Sequence, residues 1–161
     1  MKSTLYLDMD GVVADFDEYA ARTLGLPPSE GIYPDDKWYK LASNERLYRD
    51  LEKTYYADEL VDFCREFAWN KYNLYFLTAV PKGNDVPWAF YDKVVWAQKH
   101  FPNIPVMFGP FSKDKHVHCQ IGDILIDDRT SNIEEWRAAG GIGILHRSFK
   151  ETIEALKNID N

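Results

Sequence analysis

Hydrophobic residues follow two alternating rhythms along this chain. Five short apolar runs, "TLYL" (4–7), "NLYFLTAV" (73–80), "IPVMF" (104–108), "DILI" (123–126) and "GIGIL" (141–145), have the length of strands. They lack a polar-apolar alternation, which predicts strands buried on both faces, as in a parallel sheet. Between them the apolar period lengthens to that of a helix. "DELVDFCREFAWN" (58–70) sets Leu60, Phe63, Cys64, Phe67 and Ala68 near one face. "PWAFYDKVVWAQKHF" (87–101) opens with Pro87, a good first-turn residue. "TSNIEEWRAAGG" (130–141) begins with Thr130 or Ser131 as a cap and ends near Gly140, and "SFKETIEALKNI" (148–159) supplies a last helix. Strands alternating with helices predict an α/β layered fold with right-handed crossovers.

Residues 17–57 break the rhythm. They hold no clear strand, but do hold Pro27, Pro28, Gly31 and Pro34 and the aromatics Tyr33, Trp38, Tyr39, Tyr48, Tyr55 and Tyr56. So long a stretch is not an ordinary loop in a compact domain. It is expected to be a mostly helical insertion over the carboxyl edge of the sheet, leaving 1–16 and 58–161 as the core domain.

The 161 residues suit one domain with a core of its own, since a chain near this size buries roughly 70% of its unfolded surface. A net charge of −7 argues against long nucleic acid, whose binding rests on Lys and Arg neutralising phosphates. One local pocket for a small anion remains compatible with it. Two distant cysteines, Cys64 and Cys119, form no disulfide framework. The N-terminus turns acidic within a few residues, unlike a signal peptide, and no apolar run approaches a membrane span. A cytoplasmic setting is expected.

The chemistry sits at strand ends. "STLYLDMDGVVADF" (3–16) closes its apolar run with Asp8 and Asp10, "YFLTAV" ends in Thr78 and Ala79, and "DILIDDR" carries Asp127 and Asp128. In open α/β sheets ligands bind beyond the carboxyl ends of the strands. If these strands are neighbours, four carboxylates converge, and they cannot all stay ionised without compensation. A hard divalent cation with oxygen ligands, Mg²⁺, answers that need, and it commonly shares phosphate oxygens. One aspartate can then attack phosphorus while the other protonates the leaving oxygen. Backbone N–H groups of the "DGVVA" turn offer a phosphate cradle, with Gly11 allowing close approach. "FSKDKHVH" provides Lys113 or Lys115 to neutralise remaining charge.

Taken in order, "DMDGVVADF", "LTA", a lysine and "DILIDDR" resemble the haloacid dehalogenase (HAD) superfamily of phosphohydrolases, and within it the 5'(3')-deoxyribonucleotidase family. The resemblance spans nearly the whole core. It implies a HAD-like Rossmannoid three-layer sandwich with a small helical cap after the first strand. It implies a phosphomonoester substrate, a (deoxy)ribonucleoside monophosphate, hydrolysed through an aspartyl-phosphate. Asp8 would be the nucleophile and Asp10 the general acid, then base. Mg²⁺ would take the carboxylates of Asp8 and Asp128 and the main-chain carbonyl of Asp10, with Asp127 behind them or acting through water. Thr78 and the Ala79 N–H would hold a phosphate oxygen. Lys93, in "YDKVVW", would contact substrate, and Phe16 would pack near sugar or base. Trp38 and Tyr39 are the expected lid aromatics. The cap aromatics also offer a surface for a homodimer.

Plainer readings stand beside these. Asp-x-Asp-Gly also suits an ordinary turn. Lys82 and Lys93 are solvated helix-face charges unless the pocket claims them. Arg129 is expected in a structural ion pair, Asp123 as a strand-edge acid, and "HVHC" (116–119) as loop packing rather than a soft-metal site. Other functions the acids allow are phosphatase action on another small metabolite, a receiver-like signalling module, and a nucleotide-binding regulator.

Overall fold

The computed structural model describes residues 2–25, 40–41, 43, 46–81 and 87–159. Five parallel strands form one sheet: β1 (Ser3–Leu7), β2 (Tyr72–Thr78), β3 (Val106–Phe108), β4 (Ile124–Asp127) and β5 (Ile142–Leu145), in the spatial order β3-β2-β1-β4-β5. The helices are α1 (Phe16–Leu24), α2 (Leu47–Asp50), α3 (Ala57–Ala68), α4 (Ala89–His100), α5 (Thr130–Ala138) and α6 (Phe149–Ile159). A 3-10 segment, Ser112–His118, precedes β4.

The continuous apolar runs occupy the centre of the sheet. In β1, Leu5 and Leu7 enter the larger core with residues of α3, α4 and α6, and Tyr6 enters a smaller one with Leu125, Ile133 and Trp136. Successive side chains of a strand point to opposite faces, so β1 serves two layers at once. The fold is therefore a sheet with helices on both sides. In α3 the buried stripe is Leu60, Val61, Cys64, Phe67 and Ala68, with Phe63 only partly covered. The helical period is as expected, rotated slightly so that Val61 takes the innermost place.

The strand order fixes the site. From β1 the chain builds outward through β2 and β3, then returns to the other side of β1 with β4 and β5. The reversal lies between β1 and β4, where an open α/β sheet leaves a crevice at its carboxyl edge. The register Leu7↔Phe76 and Leu7↔Ile126 sets the end of β1 beside the carboxyl-terminal parts of β2 and β4, which run on to Thr78 and Asp127.

Main-chain hydrogen bonds pair the two ends of the long segment after β1. The Asp15 N–H donates to the Glu52 carbonyl at 2.8 Å, and the Thr54 N–H to the Val13 carbonyl at 2.9 Å. Its first helix, α1, is capped by the Asp15 carboxylate, which accepts from the Glu18 N–H, and ends at Gly25 in the left-handed region. Phe16, Leu41, Leu47, Tyr48 and Leu51 all join the larger core. Trp38, Tyr39, Tyr33 and Lys82 lie outside the described residues.

Candidate active site

Asp8 follows β1 and is held there by its N–H, which donates to the Ile126 carbonyl at 2.9 Å. The chain then turns sharply. Gly11 has φ +82°, and a Cβ there would overlap the Asp128 carboxylate, so only glycine allows Asp128 to nest against the turn. The N–H groups of Val12, Val13 and Ala14 all donate to the Met9 carbonyl, and that of Gly11 to the Ala14 carbonyl. These four N–H groups stabilise the turn itself, so the phosphate cradle expected of them is already occupied by main-chain acceptors.

Of the two lysines of its segment, Lys115 is the one that reaches the acids. Its side chain is buried, with Nζ 2.7 Å from Asp8 Oδ1 and 2.8 Å from Asp127 Oδ2. Lys113 is exposed and does not line the cavity. Burial alone would discharge Lys115, but Asp127 and Asp8 outweigh it and hold the ammonium well above its ordinary range. Asp127 is fully engaged: its Oδ2 also accepts from Asn132 Nδ2 at 3.0 Å, and its Oδ1 from the Arg129 N–H at 2.9 Å. Asp128 is anchored by its main chain, whose carbonyl accepts from Arg147 Nη1 at 2.8 Å.

A second ion pair lies beside the first. Lys93 is wholly buried, and its Nζ donates to Asp10 Oδ2 at 2.7 Å and to Thr78 Oγ1 at 2.8 Å. The same ammonium sits 4.4 Å from the centre of the Tyr48 ring. Lys93 is therefore no solvated helix-face charge, and it stands behind Asp10 rather than on the cavity wall. Thr78 is likewise buried, at the end of β2.

Between these groups is a cavity of about 130 Å³. Asp8, Asp10, Lys115 and Asp128 line it, with Phe16, Tyr48 and Ala79 among the apolar lining residues. Phe16 and Tyr48 stack with centroids 5.8 Å apart and planes 19° apart. Asp17, Ser112, Arg129 and Asn132 complete the polar lining. Arg129 donates from Nη1 to Ser112 Oγ at 3.0 Å, a hydrogen bond where an ion pair was expected. Tyr48, Ser112 and Asn132 were not legible as site residues. Asn132 could have been suspected, because it falls in the first turn after the acid pair.

The carboxylates fit a hard cation. Asp8, Asp127 and Asp128 each offer an oxygen, all within 4.8 Å of one another, the only such group of possible ligands among the described residues. The notch at Gly11 makes room for one of them. With no cation to relieve it, burial first and then the charge of Asp127 push the Asp8 carboxyl up to about 7. Burial, followed by Asp8 and Asp127, pushes Asp128 up to about 10. All-oxygen ligands and excess negative charge match Mg²⁺ chemistry. "HVHC" takes no part: His116 faces Glu135, and His118 Nε2 lies 3.3 Å from the Gly109 carbonyl. Asp123 is more than an edge acid, since it is buried and accepts from the Thr4 and Gln120 N–H groups.

A parallel sheet with helices on both faces, and this acid-lysine constellation at its switch point, defines a phosphohydrolase of the haloacid dehalogenase superfamily. The family model described as "5' nucleotidase, deoxy (Pyrimidine), cytosolic type C protein" matches residues 29–160, and the chain belongs to this 5'(3')-deoxyribonucleotidase family. It is thus a phosphoric monoester hydrolase of the 5'-nucleotidase type. The match begins after Asp8 and Asp10, which join the site through geometry alone. A search of curated proteins returned no match. No helix among the described residues is long and apolar enough to cross a membrane.

Proposed function

We propose that the protein hydrolyses (deoxy)ribonucleoside monophosphates, with Mg²⁺ as cofactor and Asp8 as the covalent acceptor of the phosphoryl group. The observation that carries this reading is the placement of Asp8: at a cavity wall, on Lys115, and within a carboxylate cluster shaped for a cation. Asp8 and Asp128 would hold the metal with the Asp10 carbonyl, and Asp127, already bonded to Lys115 and Asn132, would steady them from behind. When bound, the metal would offset the negative charge of the carboxylates and of the phosphoryl oxygens.

The chain's own groups then divide the work. An Asp8 carboxylate oxygen attacks phosphorus, and the bond from phosphorus to the ester oxygen breaks. Asp10, whose Oδ2 accepts from Lys93, gives a proton carried on its other carboxyl oxygen to that departing oxygen, leaving an aspartyl-phosphate and a nucleoside. Asp10, now ionised, takes a proton from water, which attacks phosphorus and frees phosphate and Asp8. Lys115 stays charged throughout and balances the phosphoryl oxygens. Thr78 and the Ala79 N–H orient an oxygen of the phosphate. Lys93 holds Asp10 from behind, and Phe16 with Tyr48 gives the nucleoside an apolar wall. Residues 17–57 act as a cap over this cavity. The family name favours a cytoplasmic enzyme.

The test is phosphate release from a panel of deoxy- and ribonucleoside monophosphates, with sugar phosphates alongside, in the presence of Mg²⁺. A preference for nucleotides in kcat/KM is expected. Preference for a sugar phosphate would replace the nucleotidase reading with that of a general metabolite phosphatase.

A further inference from the structure

Asp92 is a buried charge that the chemistry above leaves unused. It precedes Lys93 on α4 and is 1% exposed. Two arginines from the other side of the site converge on it: Arg46 Nη1 at 3.0 Å and Arg49 Nη2 at 2.9 Å from the same Oδ1. Each guanidinium also lies over an aromatic ring at the start of α4. Arg46 Cζ is 5.2 Å from the Trp88 ring centre, and Arg49 Cζ is 5.3 Å from that of Tyr91. A carboxylate that leaves water needs such partners to remain ionised. The rings reinforce the grip.

Between these arginines lies Tyr48, the aromatic that lines the cavity, stacks on Phe16 and covers the Lys93 ammonium. Adjacent residues of α4 therefore hold the same short segment by opposite charges: Asp92 takes Arg46 and Arg49, while Lys93 meets the ring between them. We propose that Asp92 is a positioning residue that sets substrate affinity, by docking α2 on α4 so that Tyr48 closes the apolar wall of the cavity. The inference rests on the nucleotidase reading for its substrate, but not for the docking itself. Lys93 bonds Asp10 and Thr78 directly and not through Asp92, which separates the chemical step from the wall.

The experiment compares wild type with Asp92→Asn in two assays. In steady-state hydrolysis of a nucleoside monophosphate, KM should rise about tenfold while kcat stays within about threefold. In limited trypsin digestion read by mass spectrometry, cleavage after Arg46 or Arg49 should accelerate about tenfold, because Leu47 and Tyr48 are buried only while the segment is docked. If Asp92→Asn does not fold, the double variant Arg46→Gln/Arg49→Gln removes the same contacts from their more exposed side, and because it lacks the trypsin sites its digestion is read with chymotrypsin, as cleavage after Tyr48 relative to wild type. An unchanged KM, or a fall in kcat alone, would overturn the affinity role. Unchanged trypsin protection would overturn the docking. If wild type releases no phosphate from any nucleoside monophosphate, the substrate claim falls, and the digestion still decides whether Asp92 docks the segment.

Discussion

Lys115 and Asp8 are 107 residues apart in the chain and 2.7 Å apart in the folded protein. The contact joins the 3-10 segment to the tip of β1 and gives Asp8 a permanent cation where charge must be offset. Replacing Lys115 by Met removes that cation and leaves Asp8 and Asp127 buried together. We expect kcat to fall by about 10²–10³. Stability should drop by about 3 kcal/mol, the lower end for a broken buried pair, because Asp8 can take up a proton. Steady-state kinetics and urea denaturation check both figures. A Lys115→Met protein with wild-type turnover would remove the lysine from the chemistry.

Asp10 is held on Lys93 and faces the cavity. Its proposed work is to protonate the leaving oxygen and then to activate water. An aryl phosphate with a good leaving group needs only the second service. Asp10→Asn should slow nucleotide hydrolysis by about 10²–10⁴. With the aryl phosphate it should give one rapid equivalent of phenolate and then stall. Rapid mixing measures this burst. A linear time course at wild-type rate would contradict the role.

Gly11 is required twice, by φ +82° and by the Asp128 carboxylate that occupies the space of a Cβ. Gly11→Ala should cost about 1–2 kcal/mol from backbone strain alone. The greater effect falls on the cation, because Asp128 must move. The Mg²⁺ concentration for half-maximal activity should rise about 10–100-fold. A metal titration of the variant that overlays wild type would show that Asp128 does not need its notch.

The raised Asp8 and Asp128 carboxyls set a pH dependence for metal-free protein. In the unfolded chain both lose their protons near pH 4. In the folded protein without metal they keep them to about 7 and about 10. The folded state thus binds more protons, and stability falls as pH rises. The contribution is full below about pH 4 and is lost as pH climbs through the folded values. Between about pH 7 and 8.5 the lowered His100 and His146 no longer titrate and oppose this trend. Protein treated with chelator should lose about 2 kcal/mol, or about 4–8 °C in Tm, across that window. Added Mg²⁺ should raise Tm more at pH 8.5 than at pH 7. A Tm that climbs with pH in chelator would contradict the carboxylate environment described.

Most of this was legible because strand-end chemistry is local in sequence. Continuous runs such as "DILI" and "TLYL" could only be two-faced strands, and each carried its acids at the tip. Lys115 against Lys113 could not be separated, since the choice depends on which residue of a 3-10 turn points inward. That the Gly11, Val12, Val13 and Ala14 N–H groups of "DGVVA" close their own turn is a matter of main-chain angles that residue types do not encode. Lys93 was open between a substrate contact and a solvated helix-face charge, and nothing in the helix pattern singled out Asp92. Their burial depends on Tyr48, Arg46 and Arg49 arriving from a segment with no periodic signal. Tertiary partners of that kind cannot be deduced from one helix's pattern.

The central claim is that Asp8 accepts the phosphoryl group. It is tested most directly by quenching a single turnover of phosphate-labelled nucleoside monophosphate in acid and mapping the labelled peptide. The label should sit on Asp8, be released by hydroxylamine as an acyl phosphate must be, and be missing from Asp8→Asn protein. Phosphate released over the same interval with no label on Asp8, or with the label on another side chain, would contradict it.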